Sequence, residues 1–176
     1  MNILLLGATG SIGDSVLSVI KENHSELNLF AITFHKNKNK SQEIIKDFKP
    51  EFAYVEDRST FEDLKDTGDI TFLNGDSSLK ELIEHDDVDI IISAISGFAG
   101  LKATYLAAST GKKILLANKE SIVAGGDLIT ARAKKFNSKI IPIDSEHNAI
   151  FQCLSGERSP DDFQKITITA SVGPFI

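Results

Sequence analysis

The chain has 176 residues, with 19 Lys and Arg against 25 Asp and Glu, for a formal charge of −6. Apolar residues make up 41% and charged residues 25%, a globular balance that excludes collagen, coiled coil and a disordered tail. The acidic excess argues against nucleic acid or an anionic membrane as the main partner. A single cysteine permits no internal disulfide and suits a reducing, cytoplasmic setting, and no apolar run reaches the ~18–20 residues of a membrane span.

The chain opens on an apolar run, residues 3–6, that reads as a strand and leaves no room for a signal or transit peptide. It enters the turn Gly7-Ala8-Thr9-Gly10-Ser11-Ile12-Gly13 and then a helix over 11–24. Glycines between a first strand and a first helix let backbone amides approach a pyrophosphate, and the helix N-terminus adds N–H donors and a positive dipole end. The spacing is G-x-x-G-x-x-G rather than G-x-G-x-x-G. In this strand–turn–helix context it points to a dinucleotide; a tight turn with no ligand is the simpler alternative.

The second strand, 29–34, ends in Phe34-His35-Lys36-Asn37. NAD binders place a carboxylate there for the ribose 2′-OH. Here a cation and an amide stand instead, which favours NADP over NAD. A short basic, Asn-rich stretch, His35 to Lys40, leads into a helix over 41–48. Strands at 52–55, 70–73, 89–94, 113–117 and 139–143 then alternate with helices at 60–65, 78–85, 99–110 and 121–136. Runs apolar throughout, such as Ile90-Ile91-Ile92, read as strands buried on both faces. The alternation predicts an α/β fold, a Rossmann-like doubly wound parallel sheet. The rhythm holds to about residue 143. A helix over 146–154, a loop over 155–160 and a strand over 165–170 follow, and that strand delivers Ser171 to a Gly-Pro turn.

Two segments carry candidate chemistry. In Ala117-Asn118-Lys119-Glu120-Ser121 a strand ends and a helix begins, with Asn118 a good N-cap. Glu120 suits the positive dipole end and Lys119 does not. That awkward cation suggests an anionic ligand or a polar transition state, unless it bends away to solvent. In Asp144-Ser145-Glu146-His147-Asn148, two carboxylates two residues apart could turn toward one hard cation such as Mg²⁺ or Mn²⁺. Asp144 as N-cap, with Glu146 complementing the dipole, explains the same residues without a metal. Other chemistries fit less well. A short-chain dehydrogenase needs Tyr followed by Lys four residues on, but Tyr54 and Tyr105 precede Arg58 and Ser109. A thiol-dependent semialdehyde dehydrogenase needs a nucleophilic Cys, and Cys153 falls on an apolar helical face expected to bury it. His24 and His85, near helix ends, read as surface residues.

Together, the glycine turn, Ser96-Gly97-Phe98-Ala99-Gly100-Leu101, Ala117-Asn118-Lys119-Glu120-Ser121 and Asp144-Ser145-Glu146-His147-Asn148-Ala149-Ile150-Phe151 resemble the 1-deoxy-D-xylulose 5-phosphate reductoisomerase family. The resemblance implies NADPH and a divalent metal, Mg²⁺, Mn²⁺ or Co²⁺, acting on a sugar phosphate in non-mevalonate isoprenoid (terpenoid) biosynthesis. The substrate would rearrange by retro-aldol and aldol steps to a branched aldehyde that is then reduced. The resemblance implies that Thr9, Gly10, Ser11 and Ile12 hold the pyrophosphate and that Lys36 and Asn37 lie near the 2′-phosphate. It places Asn118 and Glu120 on NADPH, and Lys119, Ser145, Glu146 and Ser171 on substrate. Asp144 and Glu146 would be metal ligands; Lys119, Asp144 and Glu146 form the catalytic set. The family run is Ser-Gly-Gly-Pro where this chain has Ser171-Val172-Gly173-Pro174, and a β-branched valine resists positive φ.

On this reading residues 1–143 are an NADPH-binding domain. Residues 144–176 begin an α+β catalytic domain whose further metal carboxylate, mobile loop and helical region lie beyond residue 176. The chain would then be an N-terminal portion with little activity alone, from a family that is homodimeric at full length. The alternatives are a non-catalytic NADP-binding module and a thiol-dependent semialdehyde dehydrogenase.

Overall fold

Successive strand residues point to opposite faces of a sheet, and in this chain both faces are apolar. The computed structural model describes residues 1–154 and 164–167. Seven strands, β1 (Asn2–Leu6), β2 (Asn28–Phe34), β3 (Phe52–Val55), β4 (Thr71–Leu73), β5 (Ile90–Ser93), β6 (Lys113–Leu116) and β7 (Lys139–Pro142), form one sheet in the order β4-β3-β2-β1-β5-β6-β7. All six pairings are parallel. The helices are α1 (Ser11–Glu22), α2 (Lys38–Phe48), α3 (Arg58–Leu64), α4 (Asp76–Glu84), α5 (Leu101–Ala107), α6 (Lys119–Phe136) and α7 (Ser145–Leu154).

The alternation along β1 splits the interior in two. Leu4 and Leu6 join Ile91 and Ile114 under Leu82 and Ile83 of α4, Ala103 of α5 and Ile129 of α6. Ile3 and Leu5 join Ile32 and Ile92 under Leu17 and Ile20 of α1, Ile44 of α2 and Leu64 of α3. Helices therefore cover both faces, as the doubly wound reading requires, and each fully buried Leu or Ile contributes about 1.5–3 kcal/mol of apolar transfer.

Element ends depart from the sequence expectation for local reasons. The helix expected over 41–48 starts at Lys38, because the Asn37 side chain caps it by accepting from the Lys40 N–H at 3.2 Å. The helix expected over 99–110 is a 3-10 turn (Phe98–Gly100) followed by the short α5. The helix α6 begins at Lys119, two residues early, and is kinked at Gly125 (φ −144°, ψ 25°).

Residues 165–167 lie outside any strand; the rest of the strand expected over 165–170, the 155–160 loop, Ser171 and Val172 fall outside the described residues. Cys153 is exposed rather than buried, and no described residue of α7 is fully buried. His85 is half-buried, not a surface residue, its ring lying 5.1 Å from that of Phe30 and 5.5 Å from that of Phe52. No helix among the described residues is long and apolar enough to cross a membrane.

Candidate functional site

The strand order reverses between β1 and β5, so the loops leaving the carboxyl ends of these neighbours run to opposite sides and open a crevice. Gly7 follows β1 at φ +85°, and a Cβ there would lie 2.9 Å from the Ala94 carbonyl and the Ile95 nitrogen. Only glycine lets the turn sit this close to the β5 exit. The Gly7 N–H donates to the Thr33 carbonyl at 3.1 Å and hydroxyl at 3.0 Å, tying the turn to β2. Gly13 packs against the Ala8 backbone, whose carbonyl carbon would lie 2.7 Å from an added Cβ. Gly10 caps α1 with no side-chain acceptor, leaving first-turn amides of α1 available to an anion.

Two clefts meet along this edge. The first, about 480 Å³, is lined by Gly7, Thr9 and Gly10, by Thr33 and His35 at the end of β2, and by Tyr54 and Glu56 of the β3 end. The second, about 400 Å³, is lined by Ile12, Asn118, Lys119, Glu120, Asp144 and Glu146, among others. Ile95 and Ser96 line both, so the two clefts adjoin at the switch point.

Asn118 organises the junction. It is 2% exposed. Its carbonyl oxygen accepts from the Ser121 N–H at 2.7 Å, capping α6. Its amide nitrogen donates to the carbonyls of Ile95 and, at 2.8 Å, Gly97. Gly100 packs beneath, where an added Cβ would strike that same amide and lie 2.8 Å from the Ile95 carbonyl oxygen. The side chain is thus committed to protein partners.

Lys119 and the Asp144–Glu146 segment face each other across the second cleft. The Lys119 ammonium lies 3.9 Å from a Glu146 carboxylate oxygen, and the Ser145 hydroxyl donates to that carboxylate at 3.0 Å. Glu146 is held below the ordinary carboxylate range by backbone hydrogen bonding first, then by Ser145 and Lys119. Asp144 caps α7, accepting from the His147 N–H at 3.0 Å and pairing with the His147 ring at 2.7 Å. Burial pushes its carboxyl up, but the bonds from His147 outweigh this and hold it below the usual range. Among the described residues no group of three or more His, Cys, Asp or Glu side chains could hold a metal ion. Asp144 and Glu146 supply two carboxylates, so water or substrate oxygens would have to complete the shell of a divalent ion there.

Most of the sequence-predicted residues therefore converge: Thr9, Gly10 and Ile12 on the crevice, with Asn118, Lys119, Glu120, Asp144, Ser145 and Glu146 at its far end. Ser11 is exposed as the first residue of α1. Lys36 and Asn37 are exposed beyond His35. Sequence reasoning missed the carboxylates of the next strand. β2 and β3 pair in parallel with Phe34 beside Val55, so the Glu56 N–H donates to the Phe34 carbonyl and the Asp57 N–H to that of His35. Hydrogen bonds from the Thr60 backbone and hydroxyl hold Asp57 below the ordinary range, and His35 and Lys36 add to this. Counting residues along β2 could not reveal groups supplied by β3. Cys153 lines neither cleft, which removes the support for thiol chemistry.

A parallel sheet with this glycine turn and an open crevice at the switch point defines a Rossmann-type dinucleotide-binding domain. The family model for 1-deoxy-D-xylulose 5-phosphate reductoisomerase matches residues 3–126, and that for the C-terminal domain of the same enzyme matches residues 140–176. The chain belongs to the 1-deoxy-D-xylulose 5-phosphate reductoisomerase family. It is 48% identical over 176 residues to that enzyme from Francisella tularensis subsp. novicida, covering 98% of this chain and 46% of the relative. It is 42% identical to the one from Ruthia magnifica, again covering 46% of the relative. The chain thus spans about half the length of the curated relatives it matches.

Among solved structures, it is similar to a DOX-P reductoisomerase in complex with NADPH, fosmidomycin and magnesium (TM-score 0.81, 42% identity, 88% of this chain and 39% of that one). It is also similar to the enzyme from Zymomonas mobilis in complex with NADPH (TM-score 0.81, 36% identity, 88% and 41%).

Proposed function

We propose that this chain supplies the NADPH-binding half of a reductoisomerase that converts 1-deoxy-D-xylulose 5-phosphate to 2-C-methyl-D-erythritol 4-phosphate. The observation that carries this reading is the pair of adjoining clefts at the switch point, one lined by the glycine turn and the other by Lys119, Asp144 and Glu146. Thr9, Ser11 and Ile12 would present amides to the pyrophosphate, and Gly10, whose own N–H donates to the Gly7 carbonyl at 3.1 Å, would let it approach closely. Lys36, with Asn37, would meet the 2′-phosphate at the rim. The closeness of Gly7 to the Ala94–Ile95 backbone fits a cofactor lying flat over the turn. Glu120 and the backbone of Asn118 would border the nicotinamide end. When bound, NADPH supplies the hydride.

Lys119, pointing across the second cleft toward Glu146, would donate to the substrate oxygen on which negative charge develops. The pairing gives a physical reason for a cation at a helix start, where the dipole disfavours it. Ser145 and Glu146 would contact substrate beside it. Asp144 and Glu146 would contribute two carboxylates to a divalent-metal site that the described residues do not complete.

The domain reading, 1–143 for the cofactor and 144–176 for the start of the catalytic part, is supported by β7, whose Lys139–Pro142 pair with β6 as the last strand of the sheet. The whole protein would act in the cytoplasm, as a homodimer, on a small sugar phosphate. The test is turnover: the chain with substrate, NADPH and Mn²⁺, followed by absorbance at 340 nm. Cofactor binding with negligible oxidation is expected. Substantial turnover would show that residues 1–176 suffice for catalysis and refute the division of the site.

A further inference from the structure

Glu56 presents a carboxylate on the wall of a cleft whose proposed guest carries phosphates. It stands at the end of β3, one strand farther from the glycine turn than the β2 end that bears His35 and Lys36. A dinucleotide laid along this edge puts its phosphates at Gly7 and Gly10, its ribose near the end of β2, and its base beyond the ribose. That far end has an apolar floor, Leu79 and Ala103, exposed to only 6% and 2%. Such a floor suits the flat face of a base.

Glu56 edges this floor and is held in place. One of its oxygens accepts from the Tyr54 hydroxyl at 2.9 Å. Burial first, and then Glu56 itself, push the Tyr54 phenol well above its ordinary value, so it stays a donor. Tyr54 is 3% exposed and cannot swing away. No cation among the described residues pairs with Glu56: Lys102, which also lines this cleft, pairs with Asp76, and His35 and Lys36 at the end of β2 act on Asp57. Glu56 lines the cleft and has a second carboxylate oxygen besides the one that Tyr54 occupies, so a 2′-phosphate would be repelled there and an N–H donor drawn.

We propose that Glu56, oriented by Tyr54, accepts a hydrogen bond from the exocyclic amine of the adenine base and so makes this site select a 6-amino purine over a 6-oxo purine. The inference rests on the NADPH reading given above. Adenine presents N–H donors at this position, while hypoxanthine presents a carbonyl oxygen that a carboxylate repels. The selection acts on the base and is independent of the contacts that read the 2′-phosphate.

The test titrates the chain with NADPH and with its hypoxanthine analogue, deamino-NADPH, for the wild type, Glu56→Gln and Tyr54→Phe. A hydrogen bond to a charged acceptor implies a wild-type preference for NADPH of about tenfold. Glu56→Gln, whose amide can donate to the 6-oxo group, should reduce that ratio to below about threefold or invert it. Tyr54→Phe should reduce it partway, because the carboxylate loses its orienting donor. An equal ratio in wild type and Glu56→Gln would overturn the proposal, even if both affinities fell together. Failure of the wild type to bind NADPH at all would instead overturn the cofactor reading, so the two outcomes are distinct.

Discussion

Replacing Asn118 separates two duties held by one side chain. Asn118→Ala removes the cap on the Ser121 N–H and both donations to the Ile95 and Gly97 carbonyls, at a site that is 2% exposed. A lost N-cap costs about 1 kcal/mol, and each buried acceptor left without its donor adds about 1 kcal/mol. The sum is about 3 kcal/mol, or a fall in Tm of roughly 6–12 °C for a chain of this size. Asn118→Ser keeps a capping oxygen but cannot reach the two carbonyls, so it should cost about 2 kcal/mol. Urea denaturation at constant m-value measures both. The same variants should weaken NADPH far more than 2′,5′-ADP, because the Ile95–Gly97 loop borders both clefts while the adenosine half binds in only one. Equal stability of the two variants, or equal loss of both ligands, would refute the account of Asn118 as the tie between α6 and the crevice.

Gly7→Ala meets both a positive φ and backbone atoms at 2.9 Å, so it should cost about 2–4 kcal/mol. Gly68→Ala, with φ +75° and nothing within 4 Å, should cost about 1 kcal/mol from backbone strain alone; chemical denaturation of the pair separates steric closure from backbone strain. The Asp144 carboxyl sits below its ordinary value in the folded state. Its stabilisation is therefore complete above the unfolded value of about 3.9 and lost as pH falls through the folded value. The stability gap between wild type and Asp144→Asn should narrow from pH 6 to pH 2.5, and a gap independent of pH would contradict the hydrogen bonds from His147. Two candidate carboxylates without a third ligand predict weak Mn²⁺ binding to the chain, with Kd near millimolar or above by spin-resonance titration of the free ion.

The sheet was legible because its strands are apolar on both faces: Ile90-Ile91-Ile92 and Leu4-Leu5-Leu6 can be neither half-exposed strands nor surface helices. The glycine turn was legible because its spacing encodes a steric requirement that the structure shows at Gly7 and Gly13. Two kinds of information were not. Local capping moved the start of α2, since a side chain that satisfies a helix end outweighs the periodicity of Ser41 onward. Neighbour-strand groups such as Glu56 reach the cleft through parallel pairing of residues about 20 positions apart, which periodicity along one strand cannot report. Cys153 departs from expectation because an apolar helical stripe is assumed to be buried, and no described residue of α7 is.

The central claim is that the first half of this crevice binds NADPH through the glycine turn and discriminates at the end of β2. Titrating the chain with NADPH and NADH by calorimetry tests it most directly. Saturable one-to-one binding, tighter for NADPH by about tenfold and reduced to near parity in Lys36→Ala, is the predicted result. Tighter binding of NADH, or no binding of either, would contradict it.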